Sequence, residues 1–120
     1  MFDGPEPIYI QIAEHIRSDV LAGRLTAGDQ VMSTTQYATT YRINPATAAK
    51  AFTELVADGV LYKQRGVGMF VAEGAPERLR AERRETFFAE QLDPVLQDAT
   101  WLGISTTDIQ NYISGKGDSR

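Results

Sequence analysis

One stretch in the middle of this 120-residue chain constrains its fold more than any other. Ser33 is a favourable N-cap for a helix over about residues 34–41, and residues 42–44 then form a short turn. Asn44-Pro45 combines a capping side chain with a proline at the first helical position, which predicts a second helix that ends at Asp58-Gly59. Two helices joined by so short a turn are typical of a helix-turn-helix unit, whose second helix can lie in the major groove of DNA.

A tight hairpin follows these two helices, and we call it the wing. Residues 60–63 and 69–71 have the composition of β-strands. Gly66 and Gly68 permit the positive φ angles that a tight turn between the strands requires. Arg65 stands at the tip of this hairpin.

An amphipathic helix precedes the helix-turn-helix unit. Pro7 suits a first helical position, and apolar residues follow it at a four-residue spacing. They are Ile8, Ile12, Ile16 and Val20. Gly23 is a natural left-handed stop, so this helix is predicted over about residues 7–22. Residues 25–31 are predicted to be a loop with at most a short extended piece.

The character of the sequence changes after the wing. Residues 76–93 are dense in charge, and four apolar side chains near and beyond their end fit one helical face. These are Phe88, Leu92, Val95 and Ala99. Pro94 is expected to kink this helix or to mark its restart. After a turn at residues 101–104, Ser105 or Thr106 can cap a last short helix.

These elements predict a mainly α-helical fold with a small β-hairpin. A winged helix-turn-helix DNA-binding domain is expected over residues 1–72, and a short two-helix dimerisation region over residues 73–120. The second region has more large apolar residues than two short helices can bury, which favours a homodimer with two-fold symmetry. The expected interface comprises Phe87, Phe88, Leu92, Val95, Leu96, Trp101, Ile109, Tyr112 and Ile113. The alternative is that some of these side chains cover the N-terminal domain.

Charge and composition narrow the possible partners. The chain has a formal net charge of −4 and no cysteine, which excludes disulfides, thiolate catalysis and cysteine-bound zinc. Residues 42–70 nevertheless carry four basic against two acidic side chains, whereas residues 73–120 carry six against nine. The expected DNA-binding face is therefore weakly basic, which favours two copies that bind DNA together. Without a membrane-length apolar run or a secretion signal, a cytoplasmic protein is expected.

The residues expected to touch DNA lie at the starts of the two helices, on the outward face of the second helix and at the tip of the wing. N–H groups at a helix start can receive phosphate oxygens, and outward side chains can reach base edges. The predicted contacts are Ser33, Thr34, Thr35, Asn44, Ala46, Thr47, Lys50, Arg65 and Gly66. Ser33 and Asn44 also have an interpretation as caps without a ligand, and Thr47 as an ordinary solvent-facing residue.

Enzymatic functions are disfavoured. His15 is the only histidine, and its place in the first helix suits a surface or half-buried residue better than a catalytic base. Gly66-Val67-Gly68 lacks the third glycine and the strand-to-helix context of a dinucleotide site. The sequence contains no nucleophile motif and no cluster of metal ligands, so no cofactor and no metal are expected.

Residues from about Pro7 to Val71 resemble the winged-helix domain of the GntR family of bacterial transcription regulators. The resemblance is carried by Pro7-Ile8-Tyr9-Ile10-Gln11-Ile12, Gly23-Arg24-Leu25-Thr26-Ala27-Gly28-Asp29-Gln30-Val31, Thr47-Ala48-Ala49-Lys50-Ala51-Phe52-Thr53-Glu54-Leu55, Asp58-Gly59 and Gly66-Val67-Gly68-Met69-Phe70-Val71. It implies a repressor that binds a near-palindromic operator and is released by a signal or a small ligand. The short C-terminal region is similar to that of the YtrA-type subfamily, whose members often regulate transporter operons. An effector is not identified, although a ligand site between subunits, beneath Trp101 or Tyr112, stays open.

The sequence departs from the family pattern at three positions. Thr35 replaces an arginine that typically touches DNA, and Pro45 and Ala49 stand where arginines are frequent. These departures imply weaker phosphate anchoring or a different operator preference, with Lys50 and Arg65 carrying more of the binding. They also leave two other functions open: a winged-helix module that binds proteins without specific DNA readout, and an architectural, non-specific DNA binder.

Overall fold

The computed structural model describes residues 2–117. In chain order these residues form α1 (Ile8–Leu21), β1 (Gln30–Val31), α2 (Thr34–Tyr41), α3 (Pro45–Ala57), β2 (Leu61–Gln64), β3 (Gly68–Val71), α4 (Ala75–Thr86), a π-helical segment (Phe87–Leu92), α5 (Asp93–Trp101) and α6 (Thr106–Gly117). This order confirms the predicted mainly α-helical fold with a small β element. Each helix between residues 2 and 117 is too short or too polar for a bilayer crossing.

The chain divides into two compact units. The first unit ends at Ala81 and the second begins at Glu82, so α4 contributes to both. The first unit thus continues past residue 72, where the sequence analysis placed the end of the DNA-binding domain. Ala75 and Leu79 account for the difference, because both side chains are buried in the core of the first unit.

The wing belongs to an antiparallel sheet with strand order β1–β3–β2. The short strand β1 lies in the segment that was expected to be a loop with at most a short extended piece. Its residues Gln30 and Val31 pair with Phe70 and Met69 of β3. The wing is therefore anchored to the chain ahead of the helix-turn-helix unit as well as to α3.

The register of β2 and β3 sets which side chains of the wing face the core. Leu61 pairs with Val71 and Lys63 pairs with Met69. Because successive side chains of a strand point to opposite faces, Leu61 and Lys63 share one face of the sheet. Leu61 and Val71 are buried, so Lys63 lies on the core-facing side, nearer the tip.

The core of the first unit joins α1, α3 and the sheet. The predicted apolar stripe of α1 is buried at Ile12, Ile16 and Val20, whereas Ile8 in the first turn is 36% exposed. In α3, Ala48, Ala51, Phe52 and Leu55 are buried. Phe52 and Ile12 are among the largest fully buried side chains. Because one face of α3 is fixed in this core, its opposite face is presented to solvent.

The second unit contains a local change of helix type. The π-helical segment joins α4 to α5, and Pro94 is the second residue of α5. Proline has no N–H to donate to the carbonyl of Glu90, and its ring crowds that carbonyl. A wider π-helical turn just before Pro94 accommodates both effects. The prediction of a helix restart at Pro94 is confirmed.

The last helix begins at the predicted serine. The Ser105 hydroxyl oxygen accepts from the Asp108 N–H at 3.0 Å, and the Asp108 carboxylate accepts from the Ser105 N–H at 3.1 Å. This reciprocal pair caps α6.

Candidate nucleic-acid interface

The start of α2 is held by a reciprocal pair of hydrogen bonds. The Ser33 hydroxyl oxygen accepts from the Gln36 N–H at 3.0 Å, and the Gln36 side-chain oxygen accepts from the Ser33 N–H at 2.9 Å. This capping box confirms Ser33 as the N-cap. The N–H groups of Thr34 and Thr35 have no carbonyl within the helix to donate to, so they can receive an anion.

The turn between α2 and α3 is fixed by backbone geometry and by a second cap. Arg42 adopts a left-handed conformation with φ of 55°. The Ile43 N–H donates to the Ala38 carbonyl at 2.8 Å, which closes the end of α2. The Asn44 side-chain oxygen then accepts from the Ala46 N–H at 2.8 Å, which confirms Asn44 as the cap of α3.

The solvent face of α3 is built mainly from small side chains. Ala46, Ala49, Lys50 and Thr53 are exposed. The Thr53 hydroxyl donates to the Ala49 carbonyl at 2.9 Å, so its hydrogen is directed toward its own helix. Because the side chains on this face are short, the helix backbone can approach another surface closely.

Lys50 leans toward α1. Its ammonium nitrogen lies 4.0 Å from the centre of the Tyr9 ring, within the range of a cation–π interaction. The side chain is exposed, as expected, and the ring of Tyr9 restricts the directions in which it can reach.

Thr47 lies apart from these exposed residues. It is half-buried and lines a surface cavity of about 390 Å³ together with Asn44, Tyr41 and Phe2. Thr47 is therefore beside the turn of the helix-turn-helix unit rather than on the outermost face of α3.

A larger groove of about 510 Å³ lies between the start of α2, one side of α3 and the wing, and we call it the wing groove. Its walls and floor are formed by Ser33, Thr34, Ala49, Phe52, Thr53, Val56, Lys63, Gly68 and Met69. The structure thus brings the predicted residues Ser33 and Thr34 next to Lys63, which the sequence analysis did not select. The two-residue alternation after buried Leu61 is the sequence signal that could have indicated Lys63.

The predicted residue Thr35 faces a neighbouring cavity. This cavity, of about 310 Å³, is also lined by Met32, Gln36, Thr39 and Thr40. Thr35 therefore belongs to the start of α2 without lining the wing groove.

The tip of the wing is a tight turn around Arg65 and Gly66. The Val67 N–H donates to the Gln64 carbonyl at 2.9 Å, and Gly66 has a φ of 77°. Arg65 is exposed at this tip, as expected.

Gln30 holds the tip in place, a role that sequence reasoning missed. Its side-chain nitrogen donates to the Val67 carbonyl at 3.2 Å. The same amide nitrogen occupies the space that a Cβ atom at Gly68 would need. Gly68 is therefore required both by its positive φ and by the close approach of Gln30.

The loop before Gln30, residues 26–29, is itself ordered by hydrogen bonds. The backbone N–H and the hydroxyl of Thr26 donate to the Asp29 carboxylate at 2.8 and 3.0 Å, and they lower the pKa of Asp29. The Gly28 N–H donates to the Val71 carbonyl at 2.8 Å. The two Thr26 bonds order the loop internally, and the Gly28 bond connects it to β3.

The acidic groups near this face are few or paired. The residues that line the wing groove include no carboxylate. At the end of α3 the Asp58 carboxylate accepts a hydrogen bond from the Arg17 guanidinium of α1. An approaching anion therefore meets hydroxyl, amide and ammonium groups in the groove.

His15 has a structural environment. Its Nδ1 is 2.9 Å from the Tyr37 hydroxyl, and its ring packs edge-on against Phe2 and Tyr41. Burial, reinforced by the neighbouring Tyr41 and Asp19, raises the pKa of Tyr37 above its ordinary value. His15 thus links α1 to α2.

Comparisons of sequence point to one class of protein. The sequence model for the gntR family of bacterial regulatory proteins matches residues 8–71. The HTH-type transcriptional repressor YtrA of Bacillus subtilis is 33% identical over 107 residues, which cover 89% of this chain and 82% of YtrA.

Comparisons of structure agree. A GntR family transcriptional regulator from Listeria monocytogenes superimposes with a TM-score of 0.73 at 28% identity, over 95% of this chain and 98% of that protein. The DNA-binding domain of AraR, solved in complex with operator ORX1, gives a TM-score of 0.56 at 30% identity, over 60% of this chain and 93% of that domain.

Proposed function

This chain belongs to the GntR family of bacterial regulatory proteins, and from that premise we propose that it is a homodimeric repressor that reads a near-palindromic operator. The observation that carries the proposal is the arrangement of α2, α3 and the wing around one exposed face. Helix α3 presents short side chains for close approach to a major groove, and Arg65 at the wing tip is placed to enter a neighbouring minor groove. The proposed contacts are Ser33, Thr34, Thr35, Asn44, Ala46, Thr47, Lys50, Arg65 and Gly66.

The burial pattern of the second unit supports dimerisation. Among its described residues Ala99 is the one buried side chain. Trp101 and Leu102 are 75% and 74% exposed, and Phe88, Tyr112 and other large apolar side chains are exposed as well. A unit this small cannot fold stably around one buried alanine, because apolar burial provides the main driving force.

A second copy of the chain is the proposed partner for these side chains. Each copy carries one α3, and a two-fold axis through the C-terminal unit would present two such helices to half-sites one helical turn apart or a multiple of it. The proposed interface keeps Phe87, Phe88, Leu92, Val95, Leu96, Trp101, Ile109, Tyr112 and Ile113. Leu102 and Ile104, which are also exposed, extend it.

The regulatory setting follows from the family. We propose that the protein acts in the bacterial cytoplasm, where its operator lies, and controls a small operon such as one for a transporter. Release from DNA is assigned to a signal or small ligand of unknown identity, and no cofactor is required for DNA binding itself.

A second function is favoured by one specific observation. Thr35, Pro45 and Ala49 are uncharged, so the face has few cations for a DNA reader. A winged-helix module that binds a protein would have such a face. The two functions differ in salt dependence, because DNA binding releases counterions and weakens steeply as salt rises.

The cations of the proposed face give the first test. Lys50→Ala with Arg65→Ala removes two cations from each subunit of the dimer, and each lost phosphate contact releases about 0.9 fewer counterions. The Kd for operator should therefore rise about 10³- to 10⁴-fold at 0.1 M salt. The measurement is fluorescence anisotropy of a labelled duplex. The matched control is Arg24→Ala with Arg80→Ala, which removes the same charge from outside the face. Equal Kd values for wild type and the Lys50/Arg65 variant would show that the contact face is misassigned.

A second test distinguishes the helix-capping role of Ser33 from its proposed contact with DNA. Ser33→Asp keeps a side chain that caps helices as well as serine, so stability should change little. The added charge at the groove should raise the Kd for operator about ten-fold through repulsion of phosphate. Ser33→Ala should instead lose about 1 kcal/mol of stability with a smaller change in Kd. Urea unfolding and anisotropy of the two variants distinguish the effects, and tight binding by the aspartate variant would remove Ser33 from the interface.

A further inference from the structure

The wing groove is amphipathic, and the DNA contacts proposed above do not account for its apolar floor. Phe52, Val56 and Met69 form an apolar floor, in which Val56 is 37% exposed and Met69 is half-buried. Ser33 and Thr34 form one rim, and Lys63 supplies the only cation among the residues that line the groove. A fitting occupant therefore has an apolar body and a negative charge.

The position of Lys63 follows from the strand register. It pairs with Met69 and shares a sheet face with buried Leu61, and its exposed side chain lines the groove beside residues of α3. Arg65 is two residues further along, about 7 Å at the rise of a strand. One cation thus lies within the groove and another at the tip of the same hairpin.

The charge of the wing groove indicates which kind of molecule can bind there. The residues that line the groove include no carboxylate, and the start of α2 adds the positive end of a helix dipole beside the Lys63 ammonium. The sugar–phosphate strand of DNA has the matching chemistry, with apolar deoxyribose carbons between anionic phosphates. Such a strand separates a major groove from the adjacent minor groove, as the wing groove separates α3 from the wing tip.

We propose that the wing groove seats one sugar–phosphate strand of the duplex, with Lys63 bound to a phosphate and Val56 and Met69 against deoxyribose. This inference rests on the proposed function and adds Lys63 as a binding residue. It also explains how the face anchors phosphate although Thr35 and Ala49 are uncharged: the anchoring cation comes from β2 instead of from α2 or α3.

The test compares Lys63 variants of the full chain on two duplexes, one selected by the protein from a random pool and one of scrambled sequence. Lys63→Gln removes one cation from each subunit of the dimer, so it should lower the slope of log Kd against log salt by about 1.8 and weaken binding about 60-fold at 0.1 M salt. A phosphate contact carries no sequence information, so the loss should be similar on both duplexes. Lys63→Arg should restore the slope.

A charge placed on the floor gives an independent readout. Val56→Glu should weaken binding at least about ten-fold more than Val56→Gln, because the two side chains have similar size and only glutamate repels phosphate. Arg24→Gln changes the net charge as Lys63→Gln does, outside the groove, and should leave the slope unchanged. Thermal unfolding of each variant identifies any that fail to fold.

The outcomes separate this inference from the proposed function. If wild type shows steep salt dependence and Lys63→Gln has the same slope, the operator-binding function stands, but the proposed binding of a strand in the wing groove is wrong. A loss confined to the selected duplex would also overturn it, since Lys63 would then read a base. If wild type binds neither duplex, the proposed function is wrong, and so is the proposed binding of a strand in the wing groove.

Discussion

Replacing Phe88 with aspartate is expected to convert the protein from a dimer to a monomer and to raise the Kd for operator by about 10²- to 10⁴-fold. Phe88 is 65% exposed and stacks edge-on against Phe87 in the π-helical segment. A carboxylate there would have to be buried without a partner in the proposed interface. The monomer would then bind one half-site and lose the effective concentration that links the two α3 helices.

Sedimentation velocity and anisotropy measure the two effects. Gln97→Asp is the matched control, because it adds the same charge at an exposed polar position of α5. That variant should remain dimeric with wild-type affinity. A Phe88→Asp protein that sediments as wild type would show that the interface lies elsewhere.

Phe52→Ala is expected to cost about 3–5 kcal/mol of the free energy of unfolding. Phe52 is 2% exposed, packs edge-on against Tyr37 and also lines the wing groove. The substitution should therefore leave a cavity between α2 and α3 and deform the groove at the same time. Operator affinity should fall even where the protein is still folded.

Urea unfolding of the two adjacent α3 variants provides the comparison. Thr53→Ala changes the next residue, whose hydroxyl donates only to the Ala49 carbonyl of its own helix, so its stability should shift by less than about 0.5 kcal/mol. Similar unfolding midpoints for Phe52→Ala and Thr53→Ala would contradict the assignment of Phe52 to the core.

Local signals account for the parts of the fold that the sequence predicted well. Ser33 and Asn44 are caps because their side-chain oxygens accept from N–H groups two or three residues ahead, an interaction that needs no tertiary context. The restart at Pro94 follows in the same way from the missing N–H of proline. The apolar stripe of α1 predicted which of its faces is buried, apart from Ile8 in the first turn.

Features that depend on distant residues were not visible in the sequence. Strand β1 is two residues long, and it exists because Gln30 and Val31 pair with a strand almost forty residues later. The position of Lys63 on the groove side of the sheet depends on the register between β2 and β3. Arg42 adopts a left-handed conformation that its side chain does not favour, and the turn between two packed helices imposes it.

For the candidate site, the structure shows where the selected residues lie. Ser33 and Thr34 were selected and line the wing groove, whereas Thr35 and Thr47 were selected and face other cavities. Lys50 was selected as a contact, and its position over Tyr9 could not be inferred because it depends on the packing of α1 against α3. Whether these residues touch DNA stays a prediction.

Operator reading by this protein can be measured by selecting bound duplexes from a random pool and then titrating the most enriched duplex by anisotropy at two salt concentrations. We expect an enriched near-palindrome whose Kd rises steeply with salt, because a dimer neutralises several phosphates through two faces. No enrichment, or an affinity that salt does not change, would contradict an operator reader and favour a protein-binding winged helix.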